Sequence, residues 1–121
     1  MDDKQKIESG VQLYFDSMYE SSPEKVKKVF HNNAKITGYL HGQLSEMSVE
    51  DFAAFVESQQ PSPKDKGDEI LLEIVSCDIS GATASVRVRD AYIGLKFLDT
   101  LSFLKVDDEW VIYNKLYHVE S

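Results

Sequence analysis

Apolar residues recur along this chain with two different periods. From Asp3 to about Glu20 they fall at Ile7, Val11, Tyr14, Phe15 and Met18, spacings that lay one stripe along a helix and predict an amphipathic first element. Ser21-Ser22-Pro23-Glu24 then resets the chain, a serine capping free N–H groups while Pro23 takes a first helical position where its missing donor costs nothing. A short second helix follows, burying Val26, Val29 and Phe30. His31-Asn32-Asn33 is expected to end it, because asparagine tolerates the left-handed backbone common at helix C-termini. Ala34 to His41 reads as a strand with Ile36 and Tyr39 as its largest apolar side chains and Gly38 marking a bulge or a close approach. Gly42 opens a turn. Ser48-Val49-Glu50-Asp51 resembles a capping box, and Val49, Phe52, Ala53, Phe55 and Val56 give the third helix a wide apolar face ending near Gln60. Residues 61–68, with Pro61, Pro63 and Gly67 among alternating charges, read as a surface loop and a candidate mobile lid.

Beyond that loop the period changes to alternation. Glu69–Ile79, Ala82–Tyr92, Leu95–Val106 and Glu109–Val119 are strand candidates joined by Ser80-Gly81, Ile93-Gly94 and Asp107-Asp108, short connections that imply an antiparallel meander. Ala84, Val86, Val88, Asp90 and Tyr92 share one parity and face a core, as do Leu95, Phe97, Asp99, Leu101 and Phe103 on the next strand. Two acids therefore stand in apolar rows. On the last strand the same rule groups Trp110, Ile112, Asn114, Leu116 and His118 inward, and Val111, Tyr113, Lys115 and Tyr117 outward. The outer face then carries Arg87, Leu98, Thr100, Ser102, Tyr113 and Tyr117, a mixed apolar and aromatic surface expected to form a homodimer interface.

Composition narrows the function classes. A chain of 121 residues suits one domain, 1–121, burying roughly two-thirds of its unfolded surface. With 42% apolar and 28% charged residues it matches an ordinary globular mixture. A net charge of −8 repels phosphate backbones and anionic lipid, so neither nucleic acid nor membrane is an expected partner. The polar N-terminus has no signal-peptide pattern, and no run approaches the ~18 apolar residues of a membrane span, so a cytoplasmic location is expected. The single cysteine, Cys77, precludes an internal disulfide and is read as a buried strand residue.

The order helix, helix, strand, helix, meander resembles the nuclear transport factor 2-like superfamily over nearly the whole chain. More narrowly, Phe30-His31-Asn32-Asn33-Ala34, Ser48 to Phe52, Phe97 to Val106 and Trp110 to Lys115 are similar to the branch known as "putative lumazine-binding", near the SnoaL-like polyketide cyclases. That pattern commonly has an aromatic after the acid of the third meander strand and a glycine in the next turn, where this chain has Thr100 and Asp108. The resemblance implies an α+β roll, a cone-shaped curved mixed or antiparallel sheet wrapped around three N-terminal helices. The superfamily includes ketosteroid isomerase, scytalone dehydratase and cyclase-like enzymes alongside non-catalytic transport and scaffold proteins, so fold alone does not assign chemistry.

An acid on an apolar surface resists ionisation and can exchange protons near neutral pH. Asp99 and Asp90 are the candidates, against the alternative that Asp90 faces water and Asp99 pairs with Lys115, Asn114 or a tyrosine. The spacings of His31, His41 and His118 match no metal motif, so no metal is expected, although a cavity gathering His31, His118 and Asp99 would supply ligands. His31, Asn114 and His118 fit better as polar liners of a small-molecule site. Tyr14, Tyr39 and Tyr92 add hydroxyls, and Met18, Phe52, Phe55, Phe97 and Trp110 add apolar wall. The expectation is therefore a cofactor-free pocket for a small organic ligand. The alternatives are an isomerase, dehydratase or cyclase with Asp99 as general base, and a non-catalytic homodimeric interaction module whose cavity its own side chains fill.

Overall fold

Side-chain caps decide where each helix begins. In the computed structural model, which describes residues 1–121, Asp2 accepts the Gln5 backbone N–H at 2.8 Å and starts α1 (Asp3–Tyr19). Ser22 caps α2 (Pro23–Val29), and Ser48 and Asp51 form the expected capping box on α3 (Val49–Ser58).

The strands form one six-stranded mixed sheet in the order β2-β1-β6-β5-β4-β3. Here β1 is Phe30–Leu40, β2 Gln43–Ser48, β3 Leu72–Ser80, β4 Thr83–Tyr92, β5 Leu95–Val106 and β6 Glu109–Val119, with a one-turn helix, α4, at Pro63–Lys66. The β1–β6 pair is parallel and every other pair antiparallel. The curved sheet closes one face over the helices, α1 packing on β6 and β4, and α3 on β1 and β2. A single cluster of 22 buried apolar residues fills the space between. The rows of β4 and β5 alternate as expected, Ala84, Val86, Val88, Asp90, Tyr92, Phe97, Asp99, Leu101 and Phe103 all being buried.

Four expectations are corrected. Phe30 is already extended (φ −95°, ψ 139°), so α2 runs directly into β1 and no left-handed residue at His31–Asn33 ends it. Gln43–Ser48, where the sequence predicts only a turn, is strand β2, its weak alternation leaving Leu44 exposed. Residues 61–68 are built rather than bare loop: Ser62 caps α4 through the Asp65 N–H, left-handed Gly67 closes it, and the Tyr19 hydroxyl donates to the Asp68 carbonyl. Cys77 is only half-buried on the edge strand β3, its thiol pushed up by desolvation. No helix is long and apolar enough to cross a membrane.

Candidate functional site

The site is set by an irregularity in β6. Pairing with β5 runs Ser102 opposite Asn114, then Phe103 opposite Ile112, leaving Tyr113 as an extra residue. A one-residue bulge reverses the parity of all that follows. Trp110 and Ile112 point inward as expected, but beyond the bulge Lys115 turns inward and is 5% exposed, while Leu116 is 50% exposed. Asn114 and His118 therefore leave the inner face, and Tyr117 leaves the predicted outer interface to join the cavity wall.

Tyr117 can lie inward because Gly38 is opposite it. A Cβ on Gly38 would stand 2.5 Å from the Tyr117 carbonyl oxygen and 2.6 Å from its ring, so only glycine admits this approach. The ring packs edge-on to Phe97 with centroids 5.8 Å apart.

The resulting cavity has a volume of about 50 Å³ and is walled by α1, α3 and five strands, with Met18, Phe52, Phe55, Phe97 and Tyr117 among its apolar surfaces and Asp90 and Lys115 as its charged groups. Such a space admits about four water-sized groups and is roughly a third of a cavity that takes up benzene. Tyr92 and Ile93 also border an open outer groove of about 520 Å³.

Asp90 and Asp99 sit diagonally across the β4–β5 hairpin, Asp90 opposite Phe97 and Asp99 opposite Val88, on the same face. They are 1% and 0% exposed. Tyr14, from the middle of α1, donates its hydroxyl to Asp99 Oδ2 at 2.6 Å, and Asp99 and Tyr14 lie one layer behind the wall that Asp90 reaches. Asp90 Oδ2, Asp99 Oδ1 and the Tyr92 hydroxyl are buried without a protein partner. A single proton on Asp90, donated to Asp99, satisfies the two carboxyl oxygens together. Burial, then the hydrogen bond to Asp99 and the charge of Asp99, hold Asp90 well above the usual carboxylate range, against the opposing pull of Lys115. Burial and then the charge of Asp99 raise Tyr14 as well, keeping it a donor, and burial raises Tyr92.

Of the residues expected to line a site, the fold gathers Met18, Phe52, Phe55, Asp90, Tyr92 and Phe97 at the cavity, with Tyr14 and Asp99 directly behind. Five lie elsewhere. Tyr39 is 65% exposed, since inward Ile36 and Leu40 put it on the opposite parity. His31 stacks on Tyr113 with ring centroids 4.7 Å apart and accepts the Asn33 N–H at Nδ1. Trp110, at the far end of the last hairpin, donates to Asp3 Oδ1 at 3.0 Å. Asn114 and His118 are carried out by the bulge. Ile36, Leu40, Ser45, Met47, Ile93, Lys115 and Tyr117 also line the cavity, outside the set expected from sequence. No three His, Cys, Asp or Glu side chains stand where a metal ion would be held.

Known proteins agree with this architecture. An NTF2-like protein of unknown function from Silicibacter pomeroyi superposes with a TM-score of 0.89 at 23% identity, covering 99% of this chain and 100% of that one. Another from Methylobacillus flagellatus gives 0.85 at 28% identity, covering 100% and 94%. In sequence, the aldolase FrzH of Cladobotryum is 24% identical over 105 residues, 87% of this chain and 82% of the aldolase. Residues 2–118 match the model of the "putative lumazine-binding" family, and the chain belongs to that family, within the NTF2-like superfamily.

Proposed function

We propose that the inner cavity receives the polar end of a small organic molecule and that the Asp90–Asp99 pair exchanges a proton with it. One observation carries the reading: two carboxyl groups from adjacent strands are buried together at an apolar cavity, one at its wall, sharing a proton beside a Tyr92 hydroxyl that no protein group satisfies. Leaving that hydroxyl unpaired costs about 1–3 kcal/mol, so a ligand offering a carbonyl or hydroxyl is favoured there. A carboxyl whose proton affinity is raised by burial and a neighbouring carboxylate is suited to general acid–base work. The carboxyl in reach of a ligand is Asp90, with Asp99 as its proton partner and Tyr14 as the donor that orients Asp99. The aldolase relative supports chemistry at a carbon next to a carbonyl, a reaction that begins with proton removal. The body of any ligand larger than about 50 Å³ extends toward the outer groove beside Tyr92 and Ile93, which border both spaces.

The test is deuterium exchange into the α-carbons of small ketones and aldehydes, followed by NMR in D2O. Wild type accelerates exchange for at least one compound; Asp90→Asn, which keeps a hydrogen-bond donor toward Asp99, binds that compound and loses the acceleration. Binding without exchange in wild type reduces the site to a receptor. Exchange undiminished in Asp90→Asn overturns the assignment.

A homodimer through the outer sheet face is a second part of this reading, supported by exposed Tyr113 and Leu116 beside half-buried Leu98 and Val111. Arg87, Thr100 and Ser102 belong to the proposed interface, with Leu116 on the outer face in place of Tyr117. Sedimentation of Leu116→Lys against wild type decides it: a monomer where wild type is a dimer supports the interface, and a wild-type monomer removes it.

A further inference from the structure

Lys115 is the one charged side chain of the cavity wall whose role remains to be accounted for. It is 5% exposed and makes no ion pair within 4.0 Å. Its Nζ lies 4.7 Å from the ring centroid of Phe52, 4.8 Å from that of Tyr14 and 5.5 Å from that of Tyr117. The only acceptor it reaches is the Met18 thioether sulfur, at 4.0 Å. Ring faces attract a cation, but each contributes only about 0.5–2 kcal/mol, and a thioether is a weak acceptor. Burying an ammonium costs several kcal/mol, normally offset by a carboxylate or by full hydrogen bonding. Two of its three N–H donors have no protein acceptor, and the fold spends a bulge, a glycine and three aromatic rings on directing this side chain into the cavity.

We infer that Lys115 is the receptor for an anionic oxygen of the ligand, either a carboxylate or the enolate oxygen of a carbonyl compound. The inference rests on the cavity being the ligand site and adds what class of molecule enters it. Charge balance favours the enolate case for a reacting ligand. With one proton between them, Asp90 and Asp99 carry one negative charge that offsets Lys115. When a ligand C–H bond breaks and its proton passes to the carboxyl pair, the C–H electrons form the C=C bond and the carbonyl becomes C–O⁻. The negative charge has then moved from the pair to an oxygen beside Lys115, and the net charge of the buried site is unchanged. The groups facing Lys115 from the packed elements are Tyr14 of α1, Asp90 and Tyr92 of β4 and Tyr117 on its own strand, with Asp99 of β5 behind, bonded to Tyr14; β1, β2 and α3 present none that titrates to the cavity.

The test uses three probes small enough for the cavity: acetate, its uncharged isostere acetamide, and acetone. Affinities are measured by saturation-transfer NMR on wild type and on Lys115→Met, which keeps the stem and removes the charge, so that binding at exposed cations is subtracted. Wild type prefers acetate over acetamide by about tenfold, as a charge-assisted hydrogen bond supplies, and Lys115→Met loses that preference while still binding acetone. Equal affinity for acetate and acetamide in wild type, or an unchanged preference in Lys115→Met, overturns the role of Lys115 and leaves the cavity reading intact. Failure of all three probes on wild type overturns the cavity reading and this inference with it. If Lys115→Met does not fold, the 15N resonance of the Lys115 ammonium in wild type decides: it shifts on titration with acetate and not with acetamide, and no shift overturns the assignment.

Discussion

Removing the Tyr14 hydroxyl tests the buried polar core most directly. Tyr14→Phe deletes one oxygen, leaves the ring against Phe30 at a centroid distance of 6.0 Å, and withdraws the 2.6 Å donor from Asp99 Oδ2. Asp99 Oδ1 is served only by the proton shared with Asp90, so the variant leaves Oδ2 with no donor in a site 0% exposed. A hydrogen bond to a charged group contributes about 1.5–3 kcal/mol, so Tyr14→Phe should destabilise by that amount. For a domain of this size it corresponds to a fall in Tm of about 6–12 °C. Urea unfolding at pH 7 with an unchanged m-value measures it. The same substitution in an Asp99→Asn background should cost only about 0.5–1.5 kcal/mol, since the acceptor is then neutral. A loss below about 0.5 kcal/mol in the wild-type background, or equal losses in both, would refute a charge-assisted bond between α1 and β5.

Further consequences follow from the same contacts. Asp90 is held above its unfolded pKa, so the native state binds more protons than the unfolded chain between the two values. Its contribution to stability is present below the unfolded value of 3.8 and lost as pH rises through the folded one. Asp90→Asn should therefore flatten the decline of stability with rising pH; parallel curves would contradict this. Gly38→Ala drives a Cβ to 2.5 Å from a backbone oxygen and should cost about 1–3 kcal/mol by denaturant unfolding, with loss of acetone binding as Tyr117 is displaced. Asp108 holds φ 66° in the exposed β5–β6 turn, and Asp108→Gly should raise stability by about 0.5–1 kcal/mol, because the Lys6 bond there is to the backbone carbonyl and survives. Ser48→Ala should cost about 1 kcal/mol through the lost α3 cap.

Much of this site was legible before the fold was known. Asp90 and Asp99 share a face because β4 and β5 alternate without interruption across a two-residue turn at Ile93-Gly94, and a regular hairpin needs only its turn to set register. Their placement inside was a property of the local pattern. Which of them meets the cavity was not, because that depends on how deeply α1 and α3 seat against the sheet. The Tyr14–Asp99 bond joins residues 85 positions apart, and no periodicity in either element encodes that pairing. β6 misled for a different reason: its pattern fits either parity, Asn114 and Lys115 being equally polar neighbours in the chain. The bulge at Tyr113 arises where β6 must pair with β5 on one side and run parallel to β1 on the other.

The amino-acid order alone thus determined the first three helices, the serine caps of α2 and α3, the meander and the inward row that holds the two acids, since these depend on spacing, capping chemistry and turn residues within a few positions of one another. The tertiary structure alone decided the cavity's volume, the inward turn of Lys115 and Tyr117, and the exclusion of Tyr39, Asn114 and His118. Each of these is settled by a partner strand or helix distant in the chain, whose contact energy outweighs the local preference of the residue it moves.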